Sequence, residues 1–463
     1  MEEESLTKYT EFNSEWLYKG TNRLDGSFYI NEGVNVQIKL IDKNIKTVKL
    51  STFTKDIFYP TRFKRIFAKM GEEYIKFISS SDMLRFESDS VKRLSIKKNK
   101  IDNLLLKRGW ILVSRSGTVG KTSYVHENFE ELAGSDHIIR IVPKEDFKYS
   151  GYLYAYLNSI VGYSLLTSSM FGSVVDEIEP ADLEKLPVVW QDEDTQKTIH
   201  EKIVLAFKHR SKANKLLNEA LENLYLKLNI PKLEYIKTFI GGSNIKSWEI
   251  DGFNPKFRLE ANFYNSDARK AIINLKRNKN WIKQIGDFDI KVINPPRSSR
   301  IYVEEKLGIP YYSGTNLSQF CKKGVKNLAK IHKQVDEVKV KSGWVLITRV
   351  GTIGIPYFVD MSLDGCCVSD NILRIITSEE ILPEYLYLFL KSDYGQVQFN
   401  QIKTGSVQDY IPEEYVYDLY ILVPEKNIQE EISKDVGVAM EHRIKAEELE
   451  NECKLHFEKI IFG

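Results

Sequence analysis

Cysteine is scarce: Cys321, Cys366, Cys367 and Cys453 are the only four in 463 residues, and their spacing matches no metal site. That usage fits a reduced, cytoplasmic chain. No run of about 18 apolar residues is present, so no membrane-spanning helix is expected. The opening Met1-Glu2-Glu3-Glu4 lacks the charged-then-apolar layout of a secretion signal. The seven histidines show no ligand spacing, and no Ser/His/Asp set repeats along the chain. Net charge is only +2, which by itself points to no polyanionic partner. Hydrophobic residues at 42% and charged ones at 28% exclude a disordered chain. Aromatics are plentiful, 25 Tyr and 23 Phe, and most are expected in cores.

A long internal repeat is present. Gly-Trp-Ile-Leu-Val-Ser-Arg-Ser-Gly-Thr-Val-Gly at 109–120 returns as Gly-Trp-Val-Leu-Ile-Thr-Arg-Val-Gly-Thr-Ile-Gly at 343–354, a shift of 234. Near that offset Arg23-Leu24-Asp25 with Phe28-Tyr29 answers Arg258-Leu259-Glu260 with Phe263-Tyr264. Ser135-Asp136 with Arg140 answers Ser369-Asp370 with Arg374, and Gly172-Ser173-Val174 answers Gly405-Ser406-Val407. Solenoid units run to roughly 20–50 residues, so this is a duplicated module of domain size. Two similar modules in one chain most simply read two similar things.

In each half an alternating apolar stretch broken by Gly-Thr-x-Gly reads as strand, tight turn, strand. Ile138–Val142 and Ile372–Ile376 read as strands, and Tyr152–Leu157 and Tyr385–Leu390 as short apolar helices, giving a mixed α+β module. A long helix follows each. Ile199, Ile203, Ala206, Arg210, Ala213, Leu217, Ala220 and Leu224 recur by fours and threes, the 3.5-residue period of a coiled-coil seam. Ile432, Val436, Ala439, Arg443 and Ala446 repeat this at an offset of 233, continuing through Leu449, Cys453 and Phe457. Both helices are polar elsewhere, so an antiparallel pair is the economical packing. Arg210 and Arg443, in the same seam position, allow two readings: a stem on the seam with its head in water, or a register or docking device. The expected organisation is an N-terminal segment 1–22, a first module 23–190, a spacer helix 191–230, a linker 231–255, a second module 256–425 and a second spacer helix 426–463.

Positive charge is gathered although the total is small. Lysine-rich stretches cover 43–76, 92–108, 269–283 and 322–341, an electrostatic footprint for phosphates or else simply solvated faces. Lys97, Lys98, Lys100, Lys322, Lys323 and Lys326 are the first candidates, with Arg115, Lys121 and Arg349 at the repeated turn. Gly172, Ser173, Gly405, Ser406 and Gln408 form small-residue loops where backbone can approach a ligand and side chains can donate to phosphate or base edges; a structural turn is the equal alternative. Catalytic motifs fail on inspection. A phosphate-binding loop needs Gly at the place of Arg115, and the second copy has Ile355-Pro356 where Lys121-Thr122 stands in the first. Asn294-Pro295-Pro296-Arg297 resembles the motif of adenine amino-methyltransferases, but Arg297 fills the place of the base-stacking aromatic.

The ordered marks resemble the DNA-specificity subunit of type I restriction–modification systems over nearly the whole chain. They are Arg258-Leu259-Glu260-Ala261-Asn262-Phe263-Tyr264, the Gly-Trp…Arg-x-Gly-Thr-x-Gly segment, Thr404-Gly405-Ser406-Val407-Gln408, and Gln429 opening the second helix. The resemblance implies two recognition modules, one for each half of a bipartite DNA sequence, set apart by paired helices. It further implies a chain without catalysis of its own. Two methyltransferase subunits would dock on the helices around Ile199, Ile203, Arg210, Leu217, Leu224, Ile432, Val436, Arg443, Leu449 and Phe457, and restriction subunits would join for cleavage. S-adenosylmethionine, ATP and Mg would then belong to the partners. The first module departs at Gly172-Ser173-Val174-Val175-Asp176, which lacks the Gln. Two rival classes are a stand-alone bivalent DNA-binding or anti-restriction protein and a self-contained DNA methyltransferase.

Overall fold

The computed structural model describes residues 31–233 and 260–463, except 70, 86–91, 118, 169–176, 261, 262, 265, 298, 321, 323, 332, 333 and 406. Arg23–Tyr29, Arg258, Leu259, Ala261, Asn262, Thr118, Gly172–Asp176, Lys323 and Ser406 therefore lie outside the described residues. The chain divides into two compact units, one taking residues up to Ser211 with Lys445–Gly463, the other Lys212–Ile444.

The first unit runs through α1 (Glu32–Asp42), β1 (Thr47–Lys49), β2 (Thr54–Phe58), β3 (Tyr74–Ile78), β4 (Lys92–Ser95), β5 (Ile111–Ser114), β6 (Thr122–Tyr124), β7 (Ala133–Gly134) and β8 (Ile138–Pro143). It continues with α2 (Ser150–Asn158), α3 (Ile160–Ser168), α4 (Pro180–Lys185) and β9 (Pro187–Val189). Its main sheet is antiparallel in the order β2-β8-β5-β6. Ile111–Val113 are wholly buried because both faces of β5 are covered, which is why the strand reads as an unbroken apolar run. Helix α2 lies against β5 and β6. It is buried on every side, as its Tyr-Leu-Tyr-Ala-Tyr-Leu sequence requires. A smaller sheet, β4-β3-β7, pairs β3 with β4 antiparallel and with β7 parallel. Strands β3 and β4 fall in the lysine-rich stretches, where their two-residue alternation is hidden by charge on the exposed face.

After α5 (Glu193–Lys227), discussed below, the second unit contains α6 (Ser266–Lys276), β10 (Ile282–Gln284), β11 (Lys291–Ile293), β12 (Tyr302–Val303), β13 (Gly308–Tyr312), α7 (Gly314–Ser318), β14 (Lys326–Ala329) and α8 (Val335–Val338). Then come β15 (Val345–Thr348), β16 (Pro356–Phe358), β17 (Cys367–Val368), β18 (Ile372–Ile376), α9 (Pro383–Lys391), α10 (Asp393–Ile402), α11 (Glu413–Val416) and β19 (Tyr420–Leu422). The sheet β11-β18-β15-β16 repeats β2-β8-β5-β6, and β14-β13-β17 repeats β4-β3-β7 with β12 added at the edge. Even the registers repeat. Leu112 faces Arg140 as Leu346 faces Arg374, and Phe77 faces Ala133 as Tyr311 faces Cys367. The fold is two α+β modules of one design together with two long helices.

Those helices, α5 and α12 (Lys426–Phe462), each contribute to both units. Within the first unit Lys202 pairs with Glu452, and Ala206 packs on Ala446 and Leu449. Within the second, Lys227 pairs with Glu431. Within the first unit Ile199 meets Cys453 and Ala206 meets Ala446, numbers rising on one helix as they fall on the other, so the pairing there is antiparallel. Ile199, Ile203, Leu217, Leu224, Ile432, Val436, Leu449 and Phe457 are all buried. In the first unit the seam also meets the module's core: Phe457 stands edge-on to Tyr152 at 5.3 Å and to Tyr156 at 5.2 Å. The repeated glutamines close the two helix starts alike, Gln196 donating to the Gln191 carbonyl at 2.7 Å and Gln429 to that of Pro424 at 2.8 Å.

Arg210 does not reach water. It is 3% exposed and pairs with Glu450, itself 1% exposed, while the other Glu450 oxygen accepts from the Tyr154 hydroxyl at 2.8 Å and from the Asn158 amide. Burial pushes the Glu450 carboxyl up, but the opposed charge of Arg210, with help from Lys454, outweighs it and holds the group near about 2. At the 233-residue shift relating the helices, Glu450 answers Leu217, so no carboxylate stands at the corresponding place for Arg443.

His126, enclosed by the rings of Phe129 at 4.9 Å and Phe207 at 5.0 Å, is held near about 3 by burial and by the charges of Arg210 and Arg108. Its folded pKa lies below the usual 6.5, so the native state excludes a proton that the unfolded chain takes up. Stability is then intact above 6.5 and falls as pH drops from there towards 3, at up to about 1.4 kcal/mol per pH unit, reduced by the ring's partial exposure. His126→Phe should flatten this slope. Urea midpoints of the two proteins at pH 7.5, 6 and 5 check it; curves falling in parallel would remove His126 as the cause.

Candidate nucleic-acid interface

The Gly-Thr-x-Gly segment is a hairpin turn joining β5 to β6 and β15 to β16. Gly117 and Gly120 have φ of 81° and 76°, and Gly351 and Gly354 have 83° and 75°, the left-handed values that favour glycine. In the first copy the Ser114 hydroxyl accepts the Lys121 N–H, and in the second Thr348 accepts that of Ile355, each at 2.9 Å. A strand follows the turn where a phosphate-binding loop would start a helix. Asn294–Arg297 simply follows the edge strand β11.

Two repeated segments come together here. The Arg115 carbonyl accepts the Ile178 N–H at 3.2 Å, and Arg349 accepts that of Ile411 at 3.0 Å, so each turn is stitched to the end of the small-residue loop. The arginines themselves differ. Arg115 is clamped by Glu177 and Glu179, both at 2.6 Å, over the ring of Tyr59 at 4.3 Å. Its charge is met by two carboxylates of its own module. Arg349 instead donates to the Ile411 carbonyl at 3.2 Å and lies 5.5 Å from the Tyr410 ring. The loop beyond is closed by paired backbone bonds between Thr404 and Tyr410, at 2.9 and 2.8 Å, and by Lys403 with Asp409 at 2.8 Å. Gly405 turns it with φ of 116°, Val407 is fully exposed at its tip, and Gln408 is exposed beside it.

A third repeated segment borders the turn. The Ser135 and Ser369 hydroxyls accept the N–H of His137 and Asn371, both at 3.2 Å. The Arg115 N–H donates to the His137 carbonyl at 2.9 Å and the Arg349 N–H to that of Asn371 at 3.0 Å. Arg65 bonds Asp136 at 2.6 Å over Phe77, and Arg300 bonds Asp370 over Tyr311. In the first module alone Ser116 Oγ sits 2.6 Å from His137 Nδ1, and His137 Nε2 is 3.8 Å from Asp136. The second distance is no hydrogen bond, and Asp136 is already taken by Arg65, so this is no catalytic relay.

Lys97, Lys98 and Lys100 lie exposed after β4, with Lys98 bound to Glu72 at 2.7 Å and Lys97 only 4.0 Å from Glu73. Lys121 lies 4.9 Å from the Tyr163 ring, Lys322 5.9 Å from Tyr312, and Lys326 4.4 Å from Tyr302. Composition alone gave no sign of the buried Arg140 and Arg374. Each is wholly enclosed, its guanidinium capping carbonyls of its own turn, Arg140 those of Ser135 (2.8 Å) and Gly134 (2.7 Å) and Arg374 those of Ser369 (2.9 Å) and Val368. Burial pulls their pKa values down to about 9 and about 10. Their repetition was the available signal: a charge recurring inside an apolar strand has a buried structural duty.

Among the described residues no group of three or more His, Cys, Asp or Glu could hold a metal ion, and no helix is long and apolar enough to cross a membrane. The family model for the type I restriction modification DNA specificity domain matches twice, over residues 47–223 and 278–446. No curated protein matches the sequence. Among solved structures the chain is similar to the S subunit of a type I restriction-modification system from M. genitalium, at 10% identity and a TM-score of 0.37 over 90% of this chain and 96% of that one. It is also similar to the HsdS subunit from Thermoanaerobacter tengcongensis, at 12% identity and a TM-score of 0.29 over 90% and 96%. With both copies of the domain spanning most of its length, this chain belongs to the family of type I restriction-modification DNA specificity proteins.

Proposed function

We propose that this chain is the sequence-reading subunit of a type I restriction–modification complex in the cytoplasm, each module reading one half of a bipartite DNA site. The observation that carries this is the duplication itself. Two modules share strand order, registers and turn geometry, yet differ in the side chains presented beside the turn. Such a pair is suited to recognising two different short sequences in one manner. The chain supplies no chemistry; methyl transfer, with S-adenosylmethionine, and cleavage, with ATP and Mg, belong to methyltransferase and restriction subunits docked on the paired helices. Exchanging residues 256–425 for another family module should change one half of the methylated sequence and spare the other. A change in both halves, or in neither, would defeat independent reading.

Phosphate contact gives affinity without sequence preference. Lys97→Gln and Lys100→Gln should each weaken the binding of all duplexes alike and reduce the log–log salt slope by about one. Titrations between 50 and 200 mM salt, on the order of the range where such slopes are read, measure it. An unchanged slope in both variants would place the phosphate backbone elsewhere.

A further inference from the structure

We infer that residues 137 and 371, seconded by 116 and 350, are specificity-determining positions of the two modules. The inference rests on the DNA-reading function proposed above and names where on the module the reading takes place. If two modules of one design read different sequences, the readers must satisfy three conditions. The backbone around them must be held in the same way in both copies, their side chains must differ in hydrogen-bonding character, and those side chains must reach the surface.

Positions 137 and 371 meet all three. Each is the last residue of a short turn entering the central strand, β8 or β18. Each backbone N–H is fixed by a serine hydroxyl, each carbonyl by the N–H of the turn arginine, and each preceding aspartate by an arginine lying on an aromatic ring. The serine opening each turn donates to a small-sheet strand, Ser135 to Ile78 at 3.0 Å and Ser369 to Tyr312 at 2.9 Å. Only the side chains break the repeat: His137 against Asn371, with Ser116 against Val350 beside them. His137 is 39% exposed and Asn371 is half-buried at the surface, its amide bonded to no described residue. Backbone pinned so firmly holds a side chain to one direction, which sequence discrimination demands.

The chemistry at each position follows. Asn371 offers a donor and an acceptor side by side, the pair that matches N6 and N7 of adenine in the major groove. Val350, one residue beyond the Arg349 that holds the Asn371 carbonyl, adds an apolar side chain of the kind that meets a thymine methyl. In the first module Ser116 engages His137 Nδ1, which orients the ring and leaves Nε2 as the one nitrogen for a base edge. One atom discriminates less than two, so the first module's base pair at this point should be the less strictly defined. Arg65 and Arg300, each about one-third exposed beside these residues, are held by Asp136 and Asp370, so the two cradles carry the same ion pair.

The test uses the complete subunit with its methyltransferase subunits and the substitutions Asn371→His, Val350→Ser with Asn371→His, His137→Asn, and Ser116→Val with His137→Asn. Each places on one cradle the residues that the sister cradle already carries, so the fold is expected to survive. Genome-wide mapping of methylated sites should show discrimination at one base pair of one half-site altered, on the order of ten- to a hundredfold for Asn371, with the other half-site unchanged. Retention of the full wild-type sequence by active variants, or a change in both halves, would overturn the assignment. If a variant ceases to methylate, competition binding with duplexes altered one base pair at a time decides: tolerance gained at a single pair supports the inference, and a uniform loss overturns it. A wild-type complex that methylates no two-part sequence would instead overturn the DNA-reading function itself.

Discussion

Glu450→Leu is expected to destabilise the first unit by about 3–5 kcal/mol, because it strands the Arg210 charge in an enclosed seam. The double substitution Arg210→Leu with Glu450→Leu should recover most of that loss. An apolar pair forfeits the Coulombic attraction but also escapes the desolvation of two charges, and Leu217 shows that the repeat accepts leucine at the place of Glu450. The double protein will still leave the Tyr154 hydroxyl and Asn158 amide without their acceptor, so recovery stops short of complete. Urea midpoints of the four proteins give the coupling through a double-mutant cycle. Additive losses would mean that Arg210 and Glu450 do not sustain each other. The same pair has an acid limit. Its folded carboxyl pKa, near about 2, lies below the usual 4.5, so its contribution is complete above 4.5 and is lost as pH falls through about 2. A buried pair of this kind is a device for register as much as for stability. Leu217 stands at the place of Glu450 in the repeat, which makes the two otherwise similar helices non-equivalent.

The repeat carried most of what was legible in the sequence. The 234-residue shift gave the two modules, and the 3.5-residue apolar period gave both long helices, because buried positions cannot drift in character. The small sheets were less visible. Tyr74–Ile78 and Lys92–Ser95 carry lysines on an exposed face, and two-residue strands such as Ala133–Gly134 are too short to show any period. At the candidate interface the glycines announced the turns correctly, since positive φ leaves few alternatives. Arginine was harder to read. Arg115, Arg140 and Arg210 look alike in the sequence, yet one is clamped by two glutamates, one caps carbonyls and one is half of a buried ion pair. The glutamates of Arg115 lie 62 and 64 residues away and the Arg210 partner 240, beyond the reach of local pattern, while Arg140 finds its carbonyls within six residues. His137 and Asn371 could be singled out only once the bonds holding their backbones were seen to be the same.

If each module reads one half of a DNA site as proposed, lengthening both long helices together should lengthen the unread gap between the two halves. A heptad inserted after Ser211 in α5 and another after Ile444 in α12 would keep every seam residue on its face and add about 10 Å of helix, at 1.5 Å per residue. Duplex DNA rises about 3.4 Å per base pair, so the gap should grow by about three pairs while both half-sites are retained. The insertion must be made in both helices. The antiparallel pairing ties Lys202 to Glu452 in one unit and Lys227 to Glu431 in the other, so a heptad in α5 alone would require one of these sets to break. A four-residue insertion would turn the apolar stripe off the seam and is expected to unfold the pairing rather than extend it. The methylated sequences of a host carrying the lengthened subunit with its methyltransferase partners report the gap directly. Active protein with the original gap would show that something other than these helices sets the distance between half-sites, while a gap longer by about three pairs would make the helices the ruler.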